Sequence, residues 1–295
     1  MRKEDGRFVD VNGIRTHYYL KGDGPPLVLV HGGAFGHATA ADSAFDWNLN
    51  FDDLAIWYQV IAIDKLGQGY TGNPKRDADY CMAAVVEHAA ATIRALGLEN
   101  VDLVGHSRGG YLVCRLTLDH PELTRTCTIV DSNTCAPGVE WNDMVLGNPP
   151  VPRLSRESQR WIFEHYSYSA HHITEDWLDT ATDIVARPEY KQAWHKMETE
   201  GLRLKRFIPG LARDREAMFA RLRDHGIECP TQIIWGHDDP TAHLDQGWAL
   251  WDLIASRRSD AQFHVINQAG HFSYREHPRA FNELIHSFIQ TSARN

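Results

Sequence analysis

The stretch Val101-Asp102-Leu103-Val104-Gly105-His106-Ser107-Arg108-Gly109-Gly110 decides the reading of this chain. It opens with a mostly apolar run of strand length, and the residues after it, Tyr111 to Leu118, have a helical composition. Between the two lies Gly-x-Ser-x-Gly. With Gly and Ser each at ~7% of residues, that pattern alone arises in roughly one chain in ten of this size, so the flanking strand and helix carry the information. A strand that turns directly into a helix needs small residues on both sides of the turn. Gly105 and Gly109 supply them, and Ser107 is left at the apex with its hydroxyl exposed. Taken alone, the segment also fits a plain turn in which Ser107 caps the helix.

A nucleophilic serine needs a base, an acid to orient that base, and N–H donors for an oxyanion. Where the serine sits on such a turn, these follow in the order oxyanion loop, Ser, acid, His. Upstream, the apolar strand Leu27 to Val30 runs into His31-Gly32-Gly33-Ala34-Phe35-Gly36. Gly33 N–H is the expected first oxyanion donor, and Arg108 N–H, one residue past Ser107, the second. Downstream, Thr231 to Trp235 is followed by Gly236-His237-Asp238-Asp239, and Phe263 to Ile266 by Ala269-Gly270-His271. Each candidate lies just past the carboxyl end of a predicted strand, where open α/β sheets assemble their sites. Asp131, after the run ending at Val130, is a third candidate acid beside Asp238 and Asp239.

Along the chain, strand-like and helical runs alternate, which predicts a mostly parallel sheet. Phe8 to Val11 and Ile14 to Leu20, joined by Asn12-Gly13, read as a hairpin. Six buried strands follow: Leu27 to Val30, Val60 to Ile63, Val101 to Val104, Cys127 to Val130, Gln232 to Trp235 and Phe263 to Ile266. From about Cys135 the Val-rich runs vanish, and the segment to Leu222 is aromatic, charged and helical, too long for a plain loop. The expected organisation is a core over 1–134, an inserted helical lid over 135–222 and a return to the core over 223–295. Trp161, Phe163, Tyr166, Tyr168, Trp177, Trp194 and Phe207 are aromatics that either line a pocket or pack the lid onto the core.

These motifs resemble the α/β-hydrolase superfamily, over nearly the whole chain. The His-Gly-Gly loop, Asp64-Lys65-Leu66-Gly67-Gln68-Gly69 and Ala269-Gly270-His271-Phe272 are closest to hydrolases of aromatic meta-cleavage products and related small-molecule esterases. The resemblance implies an α/β-hydrolase fold, with an eight-stranded, mostly parallel sheet flanked by helices. It implies Ser107 as nucleophile, His271 as base and Asp239 as orienting acid, since Gly-x-x-Asp counted from Gly236 lands there. Members that cleave carbon–carbon bonds usually carry Asn before the nucleophile, Arg early in the lid and Trp after the catalytic His. Here those places hold His106, Ala181 and Phe272. The departures favour ester hydrolysis, for example of a monoalkyl phthalate, by a two-step Ser-His-Asp acyl transfer. Cleavage of a vinylogous 1,5-diketone is the alternative, and a non-catalytic ligand-binding protein on the same fold a second alternative. Ala34, His106, Trp161 and Phe272 are the expected substrate contacts, and an arginine among Arg108, Arg153, Arg156, Arg160 and Arg187 is a candidate partner for a substrate carboxylate.

A net charge of −9 argues against nucleic-acid and anionic-membrane partners. The N-terminus lacks the apolar stretch of a signal peptide, and no run reaches transmembrane length, so a cytoplasmic protein acting on a small molecule is expected, with a homodimer as a candidate assembly. Five scattered cysteines suggest free thiols. The adjacent His171-His172 reads as solvated surface, and neither a metal nor a cofactor is assigned.

Overall fold

Leu27-Val28-Leu29-Val30 is apolar throughout because its alternate residues enter two different cores. Val28 and Val30 join one, Leu27 and Leu29 the other. The same division splits Ile61 and Ile63 from Val60 and Ala62, and Ile233 from Ile234. A strand buried on both faces cannot alternate with polar residues, which is why these runs are continuous in the sequence.

The computed structural model describes residues 1–292. Among them, eight strands form one sheet: β1 (Arg7–Val11), β2 (Ile14–Lys21), β3 (Pro26–Val30), β4 (Gln59–Ile63), β5 (Val101–His106), β6 (Thr124–Val130), β7 (Thr231–Gly236) and β8 (Gln262–Ile266). Their order is β1-β2-β4-β3-β5-β6-β7-β8. β2 runs antiparallel to both neighbours, and every pair from β4 to β8 is parallel. Asn12 and Gly13, with φ of 53° and 75°, make the tight turn between β1 and β2.

The first core is covered by α1 (Met82–Ala95) and α2 (Arg108–Asp119). Between β6 and β7 the chain forms α3 (Arg156–Tyr166), α4 (Glu175–Ala186), α5 (Pro188–Trp194) and α6 (Ile208–Asp224). Ser155 Oγ and Thr174 Oγ1 accept from the first turns of α3 and α4, which starts each helix where the sequence has a capping side chain. Ile162, Phe163, Trp177 and Ile184 of α3 and α4 belong to the second core, whereas Leu211, Met218 and Leu222 of α6 belong to the first. The inserted helices therefore straddle the carboxyl edge of the sheet. After β7, α7 (Leu244–Ala255) joins the first core, and α8 (Pro278–Ser292) closes the second with Phe281, Ile285 and Phe288. No helix among the described residues is long and apolar enough to cross a membrane.

Candidate active site

Ser107 sits between β5 and α2 with φ 54° and ψ −123°, a backbone conformation that side chains rarely adopt. The turn closes so tightly that a Cβ on Gly105 would lie 2.1 Å from Gly109 O, and one on Gly109 would lie 2.4 Å from Val30 O. The strained residue is held from both ends. Its N–H donates to Val130 O at 2.8 Å, and its carbonyl accepts from Ser132 Oγ at 2.5 Å. Strain of this kind, of order 1–3 kcal/mol, persists only where the surroundings over-determine it.

His271 lies past β8, and its ring Nδ1 is 2.6 Å from Asp239 Oδ2. The other Asp239 oxygen accepts from Thr241 N at 2.8 Å, Thr241 Oγ1 at 3.0 Å and Ala242 N at 2.8 Å, so the carboxylate is locked in place. The His271 N–H donates to Tyr166 O at 2.8 Å, and the Tyr166 ring stacks on the imidazole at 4.8 Å. Burial pulls the His271 ring down, but the charge and hydrogen bond of Asp239, then Asp131 and Asp42, outweigh it and leave the ring above its usual value. Asp131 and Asp238 make no such contact. Asp131 accepts from Gly236 N at 2.6 Å and from Ser273 Oγ, tying the ends of β6 and β7 to the turn after His271. Asp238 accepts from Gln268 N at 3.1 Å.

Gly33 has φ 73°, and neither its N–H nor that of Arg108 donates to a protein acceptor among the described residues. Both residues line one narrow pocket with Ser107, His271, His106, Phe272, Phe163, Tyr166 and Asp42. Ser107 and His271 make no direct hydrogen bond there. His37, Thr39, Arg108, Glu140 and Asn142 also line a second cavity of about 440 Å³, so the two spaces adjoin. The larger one is walled by Phe35, Leu146, Met197, Phe207 and Leu211, with Arg108, Arg153, Arg203 and Arg215 among its polar groups.

Two expectations, for Trp161 and His172, need correction. Trp161 does not line either space: on α3, Phe163 and Tyr166 face the pocket, and Trp161, two residues before Phe163, points elsewhere and stacks on His165 at 3.6 Å. Ala34 lines the larger cavity beside the pocket that holds Ser107. His172 is buried, not solvated. Its Nε2 lies 2.8 Å from Ser167 Oγ and its ring packs near Trp177, while only His171 stays at the surface. Of the candidate arginines, Arg156 and Arg160 pair with Glu175 and Arg187 with Glu189, and none of the three lines either space; Arg108 and Arg153 line the larger cavity, Arg108 at 3.8 Å from Glu140. Asp42, Arg203 and Arg215 were not legible as site residues, since no motif surrounds them.

The chain belongs to the alpha/beta hydrolase family, whose model matches residues 27–284, and it is a hydrolase. It is 31% identical to a 2-hydroxymuconate semialdehyde hydrolase of Pseudomonas sp. (strain CF600), over 97% of this chain and 94% of that protein. It is 29% identical to a 2-hydroxy-6-oxo-2,4-heptadienoate hydrolase of Pseudomonas putida, over 97% and 96%. Among solved structures it is similar to the meta-cleavage product hydrolase CumD of Pseudomonas fluorescens IP01, with a TM-score of 0.78, 24% identity and 98% of both chains covered. A membrane phospholipase A is nearly as similar in shape, with a TM-score of 0.75, 19% identity, and 98% of this chain and 87% of that one covered. The fold alone therefore does not select the bond that is cleaved.

Proposed function

We propose that this enzyme hydrolyses the carbon–carbon bond of a vinylogous 1,5-diketone of the kind produced by meta-cleavage of an aromatic ring. The observation that carries this reading is the identity of 31% and 29%, each over 97% of the chain, to hydrolases named for such compounds. It reverses the ranking drawn from His106, Ala181 and Phe272 in the sequence. His106 keeps a polar atom in the pocket wall, since its Nδ1 is buried without a partner. Arg108 and Arg153 lie in a cavity of mixed lining, apolar at Phe35, Leu146, Phe207 and Leu211 and acidic at Glu140, Asp143 and Glu198, and they suit a substrate that joins a carboxylate to a hydrocarbon chain.

In this reading Ser107 Oγ attacks the ketone carbon as His271 Nε2 takes its proton. Asp239 holds the resulting imidazolium, and Gly33 N–H and Arg108 N–H hold the oxyanion. The carbon–carbon bond breaks from the keto tautomer of the dienol: its electron pair is delocalised onto the remote carbonyl as a dienolate, which takes the proton from His271 and leaves as the dienol. Water, deprotonated by His271, then releases the acid from Ser107. The inserted helices act as a lid over the pocket, and five free cysteines suit a cytoplasmic setting.

Ester hydrolysis is the second reading. It is favoured by Ala181, a buried helix residue with no charge to offer, and by the apolar Phe272 in the pocket. Measuring kcat/KM side by side on a ring-cleavage dienone and a monoalkyl phthalate tests the choice. Higher efficiency on the dienone is expected, and the reverse order assigns the enzyme to esters.

A further inference from the structure

Lys65 follows the exit of β4 and is only 2% exposed. Taking an ammonium out of water is costly unless the charge is put to use. Among the described residues it forms no ion pair. Its one bond is from Nζ to Gly33 O, at 2.8 Å. The neighbouring carbonyl is held as well: His31 Nδ1 donates to Gly32 O at 2.9 Å, and His31 Nε2 accepts the Lys65 amide at 3.1 Å. Burial, with Lys65 adding, pulls His31 down to about 3, so its ring is neutral and Nε2 is free to accept. Residue 65 is thus tied to the glycine loop through both its backbone and its side chain.

Gly33, at φ 73°, is caught between these two anchored carbonyls. From the pocket side the Asp42 carboxyl presses on it, so that a Cβ at Gly33 would meet Asp42 Oδ2 at 2.0 Å. The Gly33 N–H shares its peptide plane with the Gly32 carbonyl held by His31, and the peptide that follows is held at Gly33 O by Lys65, so neither peptide turns about Gly33 without losing a buried hydrogen bond. We propose that Lys65 is a positioning residue, whose ammonium holds the Gly33 carbonyl and thereby aims the Gly33 N–H at the substrate oxygen. This rests on the reading of Gly33 as an oxyanion donor. Lys65 touches no substrate and acts through the loop. Burial also pulls its amine down to about 7 against the pull of Asp42, a cost that packing alone would not demand.

The test uses the full chain carrying Lys65→Met, which keeps the stem volume, and Lys65→Gln, which keeps an N–H donor. The readouts are turnover of 4-nitrophenyl butyrate, inhibition by phenylboronic acid, which forms a tetrahedral adduct on serine, and thermal melting. Lys65→Met is expected to lose about 10–100-fold in kcat with KM within about twofold, because misaimed donors cost mainly in the transition state. Its boronate affinity should fall by a similar factor, its Tm should not fall, and Lys65→Gln should recover part of both losses. A Lys65→Met enzyme with kcat and boronate affinity within about threefold of wild type overturns the inference. If neither substituted chain folds, the role of Lys65 is structural and the inference is likewise overturned. A wild-type chain that neither turns over the ester nor binds the boronate sinks the underlying serine-site reading instead.

Discussion

His106 Nε2 donates to the carbonyl oxygen of His271 at 2.7 Å, so the residue before Ser107 holds the backbone of the proposed base. The carbonyl accepts only, which places the His106 proton on Nε2 and leaves Nδ1 as a bare acceptor in the pocket wall. Burial, and then the charge of His271, push the His106 ring well below its usual value and keep it neutral. Replacing it with Ala strands a buried acceptor, at a cost of about 1–3 kcal/mol. His106→Ala should therefore lower the denaturant midpoint and reduce kcat, and unchanged values of both would remove His106 from the support of His271.

Ser107→Gly should abolish turnover and raise stability together. The nucleophile is lost, at about 10⁶ in kcat, while glycine relaxes the φ of 54° and recovers about 1 kcal/mol. Urea unfolding beside an activity assay checks both halves. A destabilised Ser107→Gly chain would mean that the turn carries no strain.

Asp239→Asn should cost ~10⁴ in kcat, since an amide does not hold the imidazolium or fix its tautomer. Asp238→Asn should stay within about tenfold. Asp131→Asn should act chiefly on stability, because its two oxygens bind Gly236 N–H and the Ser273 hydroxyl rather than His271. Single-turnover rates and melting curves for the three variants separate these outcomes.

The raised His271 fixes the sign of the pH dependence. Only the neutral ring accepts the Ser107 proton, so kcat/KM should rise with pH through a midpoint above 6.5, and Asp239→Asn should move that midpoint down. For the fold the sign is opposite. A raised value contributes stability fully below the unfolded-state pKa, and that contribution is lost as pH rises through the folded-state one. Coincident midpoints for the wild type and Asp239→Asn would detach Asp239 from His271.

The strands, the hairpin and the serine turn were legible because their determinants are local. Continuous apolar runs mark β3 and β4 and shorter ones β5 to β7, Asn12-Gly13 marks a two-residue turn, and Gly105 and Gly109 mark a turn with no space for side chains. The position of β4 between β2 and β3 was not legible, since strand order depends on pairing between residues far apart.

The same division runs through the site. Ser107 and His271 each follow a strand and carry their own motif. Asp131, Asp238 and Asp239 all follow strands too, and only the folded chain brings one of them, 32 residues from His271, to its ring. Trp161 and Phe163 are both aromatics of one helix, yet the phase of α3 leaves Trp161 half-buried against the second core and stacked on His165, and sends Phe163 to the pocket. Lys65 and Asp42 look like ordinary surface charges between glycine turns. Their burial against Gly33 depends on how the loop after β3 folds over the exit of β4. The sequence by itself therefore determined the elements and the chemistry at their ends, through turn geometry and hydrophobic runs. Which acid meets His271, which aromatics face the pocket and which side chain reaches the Gly33 carbonyl were decided only by the tertiary structure, because each depends on contacts between segments that local propensity does not encode.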